Sequence, residues 1–121
     1  MFERKDETTV PVSTVKLDLD AEKKNIAENL RDCSDNIDRR IKTIDGQMDK
    51  ADQKIRHTLN ELRTRLVREK KRVDRSLKEV EVSTAKNWRK VNKRASEILT
   101  NAKIETQKIE ERVEDMTDNQ N

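Results

Sequence analysis

His57 and Glu61 stand four residues apart, a spacing that would bring both to one helical face and within reach of a shared metal ion. Two donors from one helix do not close a site, and no Cys/His cluster supplies the remainder. Cys33 is the only thiol. It falls among regularly spaced apolar residues, where cysteine behaves as a small hydrophobe. Paired acids such as Glu110-Glu111 are plentiful, but acid–base chemistry needs a pocket that perturbs them. No Ser/His/Asp arrangement exists, and a single glycine, Gly46, rules out the Gly-rich loops that cradle phosphates. No catalytic, cofactor-binding or metal-ligating residue is expected, and the chain reads as non-enzymatic.

A different chemistry is carried by the cations. Residues 54–94 hold 15 basic and 5 acidic side chains, whereas 1–53 hold 10 and 13, and 95–121 hold 3 and 7. A block of this kind can attract an anionic partner or set how segments pair. Candidate anion-binding residues are Arg63, Arg65, Arg68, Lys70, Lys71, Arg72, Arg75, Lys90 and Arg94, with Lys86, Arg89 and Lys93 beside the last two. Five interspersed acids and the lack of an aromatic platform weigh toward a solvated or internally paired block. Trp88, the one large aromatic besides Phe2, is expected to anchor a core or interface rather than stack on a base.

Helices must position these groups. From Ile26 to Leu66 an apolar residue recurs with a mean step of 3.64, and from Val73 to Met116 the stripe continues with a mean step of 3.58, Thr84 and Thr106 taking two of its positions. That is the period of an α-helix. The stripe residues Ile26, Leu30, Ile37, Ile41, Ile44, Met48, Ile55, Leu59, Leu62, Leu66, Val73, Leu77, Trp88, Val91, Ile98, Ile109 and Val113 form the expected interface. Eleven-residue spacings within it, such as Ile26, Ile37, Met48 and Leu59, predict helices that are nearly straight or only weakly coiled. Charged residues make up 44% of the chain and hydrophobic ones 31%, too few for a globular core of ordinary size. Regular periodicity with one Gly and one Pro argues against disorder.

Organisation along the chain follows. Residues 1–19, with Val10, Val12, Val15, Leu17 and Leu19 in partial alternation around Pro11, read as a flexible or extended arm. Asp18 or Asp20 is a plausible N-cap, so the first helix is placed from about 20 to 81. A turn is favoured at 82–86, where β-branched and capping residues weaken the helix, with Ser83 or Thr84 capping a second helix to about 116. Gly46 is the other possible break, and one continuous rod remains open. Folding about residue 84 lays acidic 95–115 along basic 53–73, which favours the hairpin modestly. Such a hairpin leaves residues 26–50 without an intrachain partner. The helical region spans 20–116 and a frayed polar tail 117–121. Arg56, on the polar side of the stripe, is expected to be silent on substitution.

The run Lys54-Ile-Arg, Leu62-Arg, Leu66, Lys70-Lys71-Arg72-Val73 and Leu77, followed by a weak-helix break and Trp88-Arg-Lys-Val91, resembles a group of small bacterial coiled-coil proteins with apolipoprotein-like helices. The resemblance spans about residues 30–110. It implies an all-α fold, a long charged helix, a break, and a second helix opening on Trp88. The chain has no Gly at the break, where that group usually carries one.

The expected architecture is all-α and elongated, coiled-coil-like. The expected function is structural or scaffolding, by helix–helix self-association or docking to a helical partner. The alternative is an amphipathic peripheral protein that binds anionic surfaces, lipid or nucleic acid, through 54–94. No apolar run reaches the length of a transmembrane helix, and the segment Met-Phe-Glu-Arg-Lys-Asp-Glu lacks secretory character. Unpaired Cys33 fits a reducing compartment, so a cytoplasmic location is expected.

Overall fold

The computed structural model describes the backbone from residue 12 to 120 and side chains from 19 to 116. It is all-helical: α1 (Val12–Met48), α2 (Gln53–Val82) and α3 (Trp88–Gln120). Each helix packs on both others. Arg31 meets Glu81 and Arg63 meets Asp45, so α1 and α2 run antiparallel. Arg65 pairs with Glu105 and Arg94 with Glu79, so α3 turns back along α2 and lies parallel to α1. The product is an up-down-up bundle.

The turn between α2 and α3 occupies 83–87, where the weak-helix run predicts it. The register of Arg65 on Glu105 agrees, to within a turn, with the fold about residue 84 read from the charges. Its capping differs from expectation. Ser83 ends α2 instead of opening α3: its N–H and hydroxyl both donate to the Val80 carbonyl, at 3.2 and 2.6 Å. Asn87 opens α3, its carbonyl accepting from Val91 N–H at 3.1 Å and its side chain from Thr84 N–H at 2.8 Å. Thr84, a stripe position in the sequence, is exposed, and Ser83 is buried in its place.

The single long helix expected over 20–81 is broken. It ends at Met48 and restarts at Gln53. Gly46 is not the break; it lies within α1, exposed, with open space where a Cβ would stand. The turn is made by side-chain capping. Asp52 takes an extended conformation and accepts from Ile55 N–H at 2.9 Å, as an N-cap does. Arg56 reaches back to the carbonyls of Met48 and Ala51, both at 3.2 Å, satisfying acceptors that the end of α1 leaves open. Arg56 is therefore a structural residue and not the silent position its polar setting suggested.

Folding at 49–52 also overturns the expectation that residues 26–50 lack a partner. Ile26, Leu30, Ile37, Ile41 and Ile44 are buried within the chain. Each large side chain so covered contributes about 1.5–3 kcal/mol. Stripe phase survives the turn because Ala51, inside it, is itself buried.

Both ends of the helical region extend past the expected limits. α1 starts at Val12, directly after Pro11, so the arm expected over 1–19 is helical from 12; residues 1–11 lie outside the described residues. β-branched residues such as Val12 and Val15 cost a helix only tenths of a kcal/mol each, so the alternating run does not prevent it. α3 continues to Gln120, through most of the stretch expected to fray.

The buried positions of α2 are Leu59, Leu62, Leu66, Glu69, Val73, Ser76 and Val80. Steps of three and four alternate without exception. This is a heptad seam, tighter in period than the stripe read from apolar residues alone. The difference comes from Glu69 and Ser76, polar residues on the buried face that an apolar count skips. Of the expected interface residues, Met48, Ile55, Leu77 and Ile98 are only partly buried, packed against the core. Leu59, Leu62, Leu66, Val73, Trp88, Val91, Ile109 and Val113 are buried outright, as are the five of α1 named above.

Candidate anion-binding surface

With a and d positions of α2 turned inward, the residues opposite them must face water. They are His57, Glu61, Thr64, Arg68, Lys71, Arg75, Lys78 and Val82, and each is exposed; His57 lies 3.0 Å from Glu61. No third metal-ligating side chain joins that pair: among the described residues no group of three or more His, Cys, Asp or Glu could hold an ion.

The nine candidate cations separate into two sets. Arg63 binds Asp45 at 2.6 Å, Arg65 pairs with Glu105, Lys70 binds Asp74 at 3.0 Å, Arg72 lies 3.3 Å from Glu69, and Arg94 lies 3.1 Å from Glu79. These five serve the fold. Arg68, Lys71, Arg75 and Lys90 are exposed and meet no acidic partner among the described residues. Lys78, which the sequence reading did not single out, belongs with them: it extends the row Arg68, Lys71, Arg75 by one step on the same face. The signal that would have found it is the heptad frame, invisible until Glu69 and Ser76 are placed inside.

Internal pairing explains why neighbouring cations differ. Positions beside the seam reach across to α1 or α3, where acids wait: Asp45 and Glu105 meet Arg63 and Arg65. Positions opposite the seam have only solvent ahead of them. Asp74 is drawn to the α1 side by the Ser34 hydroxyl, 2.6 Å away, and by Lys70. Burial pushes the Asp74 carboxyl up, but these two hydrogen bonds and the charges of Lys70 and Lys78 outweigh it and hold it below the ordinary value. Lys70 is raised in turn, first by its bond to Asp74. Glu79 and Glu81 are likewise committed, to Arg94 and Arg31. Glu79 and Glu81 are thus engaged elsewhere, and Asp74 makes its salt bridge to Lys70 while its charge still reaches Lys78.

Other candidates have no such geometry. Burial pushes the Cys33 thiol up, with Lys103 opposing and Glu69 assisting, so it has the character of a core thiol. Trp88 is buried and donates from Nε1 to Glu22, which makes it an anchor between α1 and α3. A cleft of about 240 Å³ between the lower parts of α1 and α3 is lined by Arg40, Ile44, Leu66, Ile109, Glu110 and Val113. Its one cation, Arg40, is paired with Glu110.

No helix among the described residues is long and apolar enough to cross a membrane. No family model matches the chain, no curated protein is significantly similar to it, and no solved structure matches it.

Proposed function

We propose that this chain is a non-enzymatic helical module that binds an anionic partner through the outer face of α2. The observation that carries this reading is the row Arg68, Lys71, Arg75 and Lys78, exposed and making no salt bridge among the described residues, on a helix where Arg63, Arg65, Lys70 and Arg72 are paired. Unneutralised cations in a row repel one another, which costs stability and is offset when an anion arrives. The apolar stripe, by contrast, is used up inside the chain. It supplies no demand for a second copy.

The test is retention on a sulfated-polysaccharide column. Replacing Arg68, Lys71, Arg75 and Lys78 by Gln should lower the eluting salt far more than replacing Lys24, Lys50, Lys103 and Lys108, four exposed cations outside α2. Equal shifts would mean that net charge alone is being read.

Scaffolding through a helical partner is the second reading. It is favoured by Val82 and Ile104, the exposed large hydrophobics. Light scattering across a concentration series tests its self-associating form.

A further inference from the structure

The anion that this row fits can be narrowed, an inference that rests on the reading just given. Arg68, Lys71, Arg75 and Lys78 follow steps of three, four and three residues, so they form one line along α2 about 15 Å long. Arg72 flanks the line, its side chain 57% exposed although one nitrogen is held by Glu69. Lys90, exposed and without a salt bridge among the described residues, lies near the start of α3.

Three features choose among polyanions. The helix is unbroken from Gln53 to Val82, so the charges sit on one continuous, stiff edge. A duplex presents a comparably stiff line of phosphates, one charge per 1.7 Å of its axis. The row carries no large apolar residue between its first and last cation; Val82 follows it alone. A lipid surface is held by bulky side chains sunk below the headgroups together with the charges, and that apolar half is missing. Finally, no aromatic accompanies the row, because Trp88 is committed to the core. Single strands are gripped by stacking bases on aromatic faces, and that too is missing. What remains is phosphate neutralisation of a double helix without readout of bases.

We infer that the outer face of α2 docks along the phosphate backbone of a nucleic-acid duplex, with Arg68, Lys71, Arg75 and Lys78 as its contacts. Specificity for sequence is not expected, since these four side chains on a convex edge reach phosphates and not base edges.

The experiment titrates the full chain against labelled duplex DNA and duplex RNA of about 20 base pairs and mixed sequence, a single strand of equal length, and vesicles rich in phosphatidylglycerol. Salt is varied from 50 to 200 mM. Four phosphate contacts give a log–log salt slope of about −3.6, roughly a hundred-fold loss of affinity over that range. The Gln variant at Arg68, Lys71, Arg75 and Lys78 should lose most of that slope, about one unit per residue. The variant at Lys24, Lys50, Lys103 and Lys108, all outside α2, should keep it. Circular dichroism checks that both retain their helices.

Duplex binding that depends on the row, with weaker binding to the single strand and vesicles, sustains the inference; DNA and RNA arms distinguish the two duplex sources. Vesicle binding without duplex binding overturns the duplex while leaving the anionic-surface reading in place. Equal loss of slope in both variants overturns the assignment to α2. Binding to none of the probes at 50 mM salt sinks both proposals.

Discussion

Trp88 Nε1 donates to a carboxylate oxygen of Glu22 at 3.1 Å, joining residues 66 apart in sequence. The bond ties the first turn of α3 to α1 at the end of the bundle where α2 hands over to α3. A second contact strengthens the same corner: Lys23 Nζ donates to the Ser83 carbonyl at 2.8 Å. The corner therefore has an apolar filler with a polar tip, and both halves are separable by substitution. Trp88→Ala should cost about 3–5 kcal/mol, because it empties a buried aromatic site. Trp88→Phe keeps most of the area and should cost less, the lost hydrogen bond being worth about 1 kcal/mol. Thermal midpoints that fall equally for both variants would show that the bond, not the volume, holds the corner.

Arg56 should not behave as a surface arginine. It closes two carbonyls at the 49–52 turn, so Arg56→Ala should destabilise by about 1–2 kcal/mol. Asp52→Ala should cost about 1 kcal/mol through loss of the N-cap. Lys54→Ala, at an exposed position with no ion pair among the described residues, serves as the silent comparison. Urea midpoints for the three variants decide it: an Arg56 midpoint no lower than that of Lys54 would remove the capping role.

Gly46 lies in the last turn of α1, helical and with nothing within reach of an added Cβ. Gly46→Ala should therefore stabilise by about 0.5–1 kcal/mol, from lower backbone entropy in the unfolded chain. The expected sign is opposite to that of most substitutions, which makes thermal unfolding a sharp check.

These residues also show what a sequence of this kind discloses. Helix period, the inward residues and the break at 83–87 are legible because each follows from local chemistry: spacing, burial and weak helix propensity. The turn at 49–52 is not legible by the same means. Both neighbouring helices direct their stripes inward and Ala51 faces inward too, so apolar phase runs on as if nothing bends. Propensity points at Gly46, yet the actual break rests on Asp52, a local N-cap that the unbroken apolar phase conceals, and on Arg56, whose bonds to Met48 and Ala51 form only across the turn. The candidate surface divides similarly. That 54–94 is basic is plain from the residues, but which cations remain unpaired depends on Asp45, Glu105 and Glu79 arriving from other segments.

Asp74 predicts the response to acid. Its folded-state value lies below the unfolded one, so its contribution is fully present above about pH 5 and is lost as pH falls through the folded value. Because the side chain is 42% exposed, solvent screening keeps that contribution modest. Stability measured from pH 6 down to pH 2 should decline less steeply for Asp74→Asn than for the wild type. Ser34→Ala, which removes the 2.6 Å hydroxyl bond, should shift the decline toward higher pH. An unchanged acid profile in both variants would mean that other carboxylates dominate acid unfolding.

Ser83→Pro discriminates the turn from a continuous helix, and the geometry refines what to expect. At φ −67° the backbone of Ser83 already suits a proline ring. Three opposing effects remain. The substitution removes the Ser83 N–H bond to Val80 and the buried hydroxyl bond to the same carbonyl. It also places a proline directly after Val82, the last residue of α2, where the ring disfavours helical backbone. The expected cost is about 2–3 kcal/mol, with helicity preserved apart from the final turn of α2. Ser83→Ala, which loses only the hydroxyl bond, should cost about 1 kcal/mol. A helix running straight through would answer differently, since proline in its interior breaks a bond inside the rod and kinks it at a cost of about 3 kcal/mol or more. Circular dichroism separates the cases where stability cannot: a bundle with a turn keeps its helical signal in Ser83→Pro, and a marked loss would return the chain to a single rod.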